Sequence, residues 1–127
     1  MFQSLDVFQT AAAMARHAGA RQAVTAANVA NADTPGYQAR RLASFADIHA
    51  QAGGARLEAR RVGHIGHSSA HASSSKTINA GSEPAPNGNA VSVEEEMLHS
   101  VNIMREHSRA LAIYKHAMTV LRTTIGR

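Results

Sequence analysis

The chain has 127 residues, a formal net charge of +4 and a sequence pI near 10.3, a length that holds at most one domain. It has no cysteine, which excludes a disulfide framework, a thiolate metal site and a cysteine nucleophile. Aromatic residues make up 4%, and much of the 44% hydrophobic fraction is alanine, so an isolated chain buries little apolar area per residue and association is expected to supply part of its stability.

Residues 5–32 read as a first helical arm. Leu5, Ala12, Gly19 and Ala26 recur every seven residues, and so do Phe8, Ala15, Gln22 and Val29. Most of these side chains are small, which suits close approach of helix axes. Asp6 is placed near the start, where a carboxylate complements the helix dipole. Gly19 costs about 1 kcal/mol against Ala in an exposed helix interior.

The arm ends in Asn28-Val29-Ala30-Asn31-Ala32-Asp33-Thr34-Pro35-Gly36-Tyr37. Asn28 and Asn31 lie three apart and share a helical face. Asparagine competes for backbone hydrogen bonds and is common where helices end. Pro35 disfavours the helical region at Thr34. Pro35-Gly36 then reads as a tight turn, with Pro fixing φ and Gly free to take a positive φ.

Residues 33–91 read as a turn, an extended middle segment and a loop. Leu42, Phe45 and Ile48 are spaced three apart, and Ser44 is placed to cap a short helix ended by Gly53-Gly54. Residues 55–65 read as a short strand or extended arm. Residues 66–90, rich in Ser, Gly, Asn and Pro, read as a loop.

Residues 92–126 read as a second long helix. Ser92 and Glu95 have capping-box spacing, and Glu94, Glu95 and Glu96 suit the first turn. Met97, Met104, Leu111, Met118 and Ile125 recur every seven residues, flanked by Val101, Tyr114 and Leu121. Arg122 falls in the last turn and Gly126 supplies the stop. The pattern is that of a packing seam, within one chain or shared between chains. The expected fold is therefore mainly α: two long terminal helices pairing as a coiled-coil-like unit, with a short irregular middle that has room for a short helix or β-hairpin.

Side chains able to do chemistry are sparse. His64, His67 and His71 cluster in the Ser-rich loop, but neither a cysteine nor a carboxylate completes a zinc pattern, and the cluster reads as solvated. Consecutive glutamates at 94–96 point in different directions on a helix, so dipole complementarity accounts for them better than paired acid–base work. The hydroxyls of Ser68, Ser69, Ser73, Ser74 and Ser75 have no base-and-acid constellation around them. There is no phosphate-binding glycine loop. The expectation is no enzyme, no metal and no cofactor.

A small basic helical nucleic-acid-binding protein is the alternative reading. It requires Lys and Arg clustered on one helix face, and the basic residues here are dispersed. A His-rich metal-binding protein is a third, and metal retained after dialysis would distinguish it. The N-terminus shows no secretory signal, and no stretch approaches the ~18 apolar residues of a membrane span.

The string from Asn28 to Tyr37 resembles the N-terminal signature of the bacterial flagellar axial proteins, the rod, hook and hook-associated family. Asn28, Asn31, Thr34, Pro35, Gly36 and Tyr37 carry that motif. Within the family the chain most resembles the proximal rod type. That choice rests on Leu5-Asp6-Val7-Phe8, Ala15-Arg16-His17-Ala18 with Arg21-Gln22, the weakened mid-chain motif Arg60-Arg61-Val62-Gly63-His64-Ile65, and Asn87 to Met97 leading into the last helix. Residues 66–86 match nothing specific. The larger inserted middle domain of distal rod and hook proteins is missing.

The resemblance implies a structural subunit of a hollow helical drive shaft in the basal body, within the cell envelope and periplasm. Its implied partners are other copies of itself, other rod proteins, the ring–rod junction protein, the MS-ring protein and the flagellar export gate. It implies export through the flagellar type III apparatus without signal cleavage, and terminal helices paired as an inner domain lining the channel. Neither nucleic acid nor a membrane span is expected. The residues expected at the assembly seam are Leu5, Phe8, Ala12, Ala15, Ala26, Val29, Met97, Val101, Met104, Leu111, Tyr114, Met118, Leu121 and Ile125.

Overall fold

A computed structural model describes residues 2–52, 77–80 and 82–126, with side-chain surroundings described from residue 6 in the first helix and up to residue 50 in the second. The expected extended motif at 55–65, the histidines 64, 67 and 71, and the serines 68–75 lie outside the described residues.

The longest elements are the two terminal helices, α1 (Phe2–Ala30, 29 residues) and α3 (Val93–Ile125, 33 residues). At 1.5 Å per residue, α3 is about 50 Å long. Between them lie β1 (Arg40–Leu42), α2 (Phe45–Ala52) and β2 (Thr77–Asn79). The fold is mainly helical, with the two long helices packed on each other. They run in opposite directions, as the pairings Phe8 with Tyr114, Arg21 with Glu106 and Gln22 with Ser100 require.

Local signals fix the helix ends. Ser92 sits extended (φ −99°, ψ 114°) and its hydroxyl accepts the Glu95 amide at 3.4 Å. The reciprocal half of a capping box is not made, because the Glu95 carboxylate reaches Arg41 at 3.1 Å instead. At the other end Gly126 takes a left-handed φ of 83°, and its N–H bonds the Arg122 carbonyl. Ser44 caps α2 as expected, its hydroxyl accepting the Asp47 amide at 3.2 Å and donating to the Asp47 carboxylate at 2.6 Å.

Three expectations need correction. Asp6 is not in the first turn of α1, since that helix starts at Phe2 and its first turn holds no acidic residue. Leu42 does not share the short helix with Phe45 and Ile48; it is the last residue of β1. The supposed loop at 66–90 contains β2. That strand pairs antiparallel with β1, Arg40 opposite Asn79 and Leu42 opposite Thr77. All three β2 side chains are exposed and the strand is only three residues long, so a polar–apolar–polar triplet is too short a pattern to mark it, and its pairing defines it.

The contact between α1 and α3 is lined by Ala11, Ala18 and Thr25 from α1 and by Glu96, Ile103 and Ala110 from α3, all buried. Each line repeats every seven residues. Each also runs one residue N-terminal to the apolar stripe of its helix, 11/18/25 beside 12/19/26 and 96/103/110 beside 97/104/111. One residue is a rotation of about 100°. Alanines at the contact let the axes approach, and polar side chains tie the helices together there. The large side chains of the α3 stripe are turned to a flank, where Met104 is 62% and Ile125 78% exposed.

Candidate functional site

The turn after α1 and the segment before α3 form one hydrogen-bonded unit. The Asn28 side chain, fully buried, does the work of a neighbouring strand. Its Nδ2 donates to the Arg40 carbonyl at 2.8 Å, and its Oδ1 accepts the Arg40 amide at 3.1 Å. The Tyr37 hydroxyl adds a weaker donation to the same oxygen at 3.4 Å. Asn31 turns back instead, Nδ2 donating to the Ala27 carbonyl at 2.7 Å and Oδ1 accepting the Thr34 hydroxyl at 3.3 Å. The Ala27 carbonyl thus accepts the Asn31 side chain as well as the Asn31 amide, while Asn28 ties the end of α1 to β1.

Asn89 closes the unit from the other side. Its buried Nδ2 lies within reach of three carbonyls, Asn31 at 3.0 Å, Ala32 at 2.8 Å and Thr34 at 2.7 Å. Its Oδ1 accepts the Val91 amide at 2.8 Å. Backbone bonds run alongside, from the Gly36 amide to the Asn87 carbonyl at 3.1 Å and from the Ala90 amide to the Tyr37 carbonyl at 2.9 Å. Gly36 and Gly88 both take positive φ, 72° and 78°, and lie against each other. A Cβ on Gly88 would stand 3.4 Å from the Gly36 Cα. The string from Asn28 to Tyr37 therefore forms half of a clasp, and Asn87-Gly88-Asn89-Ala90 forms the other half.

Ion pairs continue this fastening along the helices. Arg21 pairs with Glu106, and Gln22 Nε2 donates to the Ser100 hydroxyl at 3.0 Å. Arg41 on β1 reaches Glu95 at 3.1 Å and the buried Glu96 at 3.8 Å. His17 is buried on α1, its ring 5.9 Å from that of Phe45 on α2. Burial lowers its pKa; the Arg21 charge adds to the effect and Glu106 opposes it.

The expected seam residues are distributed as follows. Leu5 lies where side chains are not described. Phe8 packs edge-on against Tyr114, ring centroids 5.2 Å apart. Ala12, Ala15, Met118 and Leu121 are half-buried, while Ala26 and Val29 are exposed. Met97, Val101, Met104, Leu111, Tyr114 and Ile125 are exposed. A groove of about 260 Å³ separates Gly19 and Gln22 of α1 from Met104 and His107 of α3, so the small-residue stripe of one helix and the apolar stripe of the other border the same flank. Asn89, Glu96, Arg41 and the Arg21–Glu106 pair carry no periodic signal. The Asn87-Gly88 turn pair, the first-turn acids Glu94–Glu96 and the segments Arg21-Gln22 and Asn87–Met97 mark that neighbourhood in sequence without showing these pairings.

Two long opposed helices, clasped at one end and carrying an apolar stripe on an outer flank, define a mainly α-helical protein built on a helical hairpin. Residues 9–38 match the family model described as the flagella basal body rod protein. Over 129 residues, spanning 98% of this chain and 96% of the relative, the chain is 27% identical to the flagellar basal body rod protein FlgB of Agrobacterium fabrum. Both similarities are to flagellar basal body rod proteins.

Proposed function

We propose that the chain is a structural, non-enzymatic subunit of the proximal rod of the flagellar basal body. It assembles through its terminal helices into the hollow shaft that joins the membrane ring to the distal rod and hook and passes exported protein. Its partners are further copies of itself, other rod proteins, the ring–rod junction protein, the MS-ring protein and the export gate. It reaches the periplasm through the flagellar type III apparatus without signal cleavage.

The observation that carries this reading, beside the nearly full-length similarity to a rod protein, is the stripe Met97, Val101, Met104 and Leu111. Four large apolar side chains exposed along one helical flank make a contiguous patch of the kind that marks a protein interface. The test is Leu111→Asp. Leu111 is half exposed in the single chain, so the substitution is predicted to change folding stability by about 1 kcal/mol or less, mostly helix propensity. At an assembled interface the same carboxylate is buried without a partner, and basal bodies isolated from cells carrying the variant should lack the chain. Normal incorporation and swimming would refute the role of this flank.

A further inference from the structure

α2 is the least anchored element of the fold. Among the described residues it packs on α1 alone. Its aromatic contact is Phe45, the first residue of the helix, whose ring lies 5.9 Å from that of His17 and 5.8 Å from that of His49 one turn further on. His17 is 5% exposed, and among the described residues neither of its ring nitrogens has a hydrogen-bond partner. A neutral imidazole in that position lays an uncharged ring against Phe45, with one N–H and one bare nitrogen unpaired among the described residues. An imidazolium in the same position has two buried N–H donors and a charge to place.

The charged groups facing His17 decide how it would fare. On α1 itself, Arg21 stands one turn away and repels a second cation. On α3, Glu106 attracts it, but that carboxylate is already bonded by Arg21. On α2, His49 lies behind Phe45 and supplies no anion, and the Asp47 carboxylate is held by the Ser44 hydroxyl at 2.6 Å. The Phe45 face offers a cation–π contact at best, weaker than the loss of hydration of a buried charge.

We propose that the His17–Phe45 contact is a pH-sensitive latch: the neutral ring seats α2 on α1, and protonation of the ring releases α2 while the α1–α3 pair and the asparagine clasp stay in place. Release uncovers Phe45 and the half-buried Ile48, so the apolar profile beside α1 changes with acidity. The sign follows from burial. A histidine held below its ordinary value of 6.5 in the seated state is neutral there when the unseated state has begun to bind a proton. Seating is therefore fully favoured above that value and weakens as pH falls below it.

The test is amide hydrogen exchange of the full chain, read at residues 45–50 of α2 and at Ile103 and Ala110 of α3, on either side of the ordinary histidine value. Exchange rates are corrected for the intrinsic pH dependence of amides. In the wild type, protection at α2 should drop several-fold on the acid side while protection at Ile103 and Ala110 holds. His17→Phe keeps an uncharged ring that cannot titrate, and should abolish the α2 response while leaving α2 protected. His49→Gln should leave the response intact. A wild-type α2 whose protection ignores pH would overturn the latch. So would a response that survives in His17→Phe, or one that His49→Gln removes.

Discussion

Asn89→Ala is predicted to open the clasp. The side chain provides Nδ2 to three carbonyls 2.7–3.0 Å away and Oδ1 to the Val91 amide at 2.8 Å. Nδ2 has two hydrogens, so it fully serves two carbonyls at a time. Three hydrogen bonds at a net ~1 kcal/mol each come to about 3 kcal/mol. Rehydration of the exposed Thr34 turn recovers part of this, and leaving buried acceptors unmet adds to it, which brackets the loss at about 2–4 kcal/mol. Against a typical domain stability of ~5–15 kcal/mol this is a large fraction. Asn89→Asp is the sharper variant. It keeps the Oδ1 acceptor but aims a carboxylate at three carbonyl oxygens, so at neutral pH it should cost at least as much as alanine. Urea denaturation followed by far-ultraviolet circular dichroism measures both. An alanine variant within ~0.5 kcal/mol of wild type, or an aspartate variant more stable than the alanine one, would refute the clasp as the fastening of the helix ends.

Gly88→Ala should cost about 1–2 kcal/mol in the same assay, because an L residue pays that much for a left-handed φ and its Cβ would press on Gly36; an unchanged midpoint would argue against the close glycine pair. Ala110→Leu, at a position with no exposed surface, should overpack the α1–α3 contact and cost about 1–3 kcal/mol, whereas its neighbour Leu111 tolerates Asp in the single chain; equal losses at 110 and 111 would put the contact line elsewhere.

That contrast marks what could and could not be read from the chain. Ser92, Ser44 and Gly126 announce their helix ends because capping is decided within a few residues. The two long helices are equally plain, since a stripe at seven-residue spacing over 33 residues has no other regular solution. The stripe does not tell which neighbour it faces. Periodicity records where large apolar groups lie on a helix, while the intrachain contact of this fold uses Ala11, Ala18, Ala110 and a set of polar ties one residue away. Asn28 and Asn31 stand out within their turn, yet their roles diverge because Asn28 meets Arg40 and Asn31 meets its own helix. Asn89 is 58 residues from Asn31, and no local pattern points across that distance. β2 depends on its partner: Thr77 and Ile78 have β-branched strand propensity, but three exposed residues are too short a signal until β1 lies beside them.

The cross-ties of the fold join residues far apart in the chain: Arg21 to Glu106 spans 85 positions, Gln22 to Ser100 spans 78. During synthesis from the N-terminus, α1 emerges long before α3, its main packing partner. An Ala-rich helix of 29 residues with a thin apolar stripe is at most partly formed alone in water. A length lacking α3 keeps the local ties of α1 to β1 and α2 but loses the α1–α3 packing that makes up most of the long-range contact of α1. Only when the segment from Val93 onward is delivered does closing the loop between the two long helices become worthwhile.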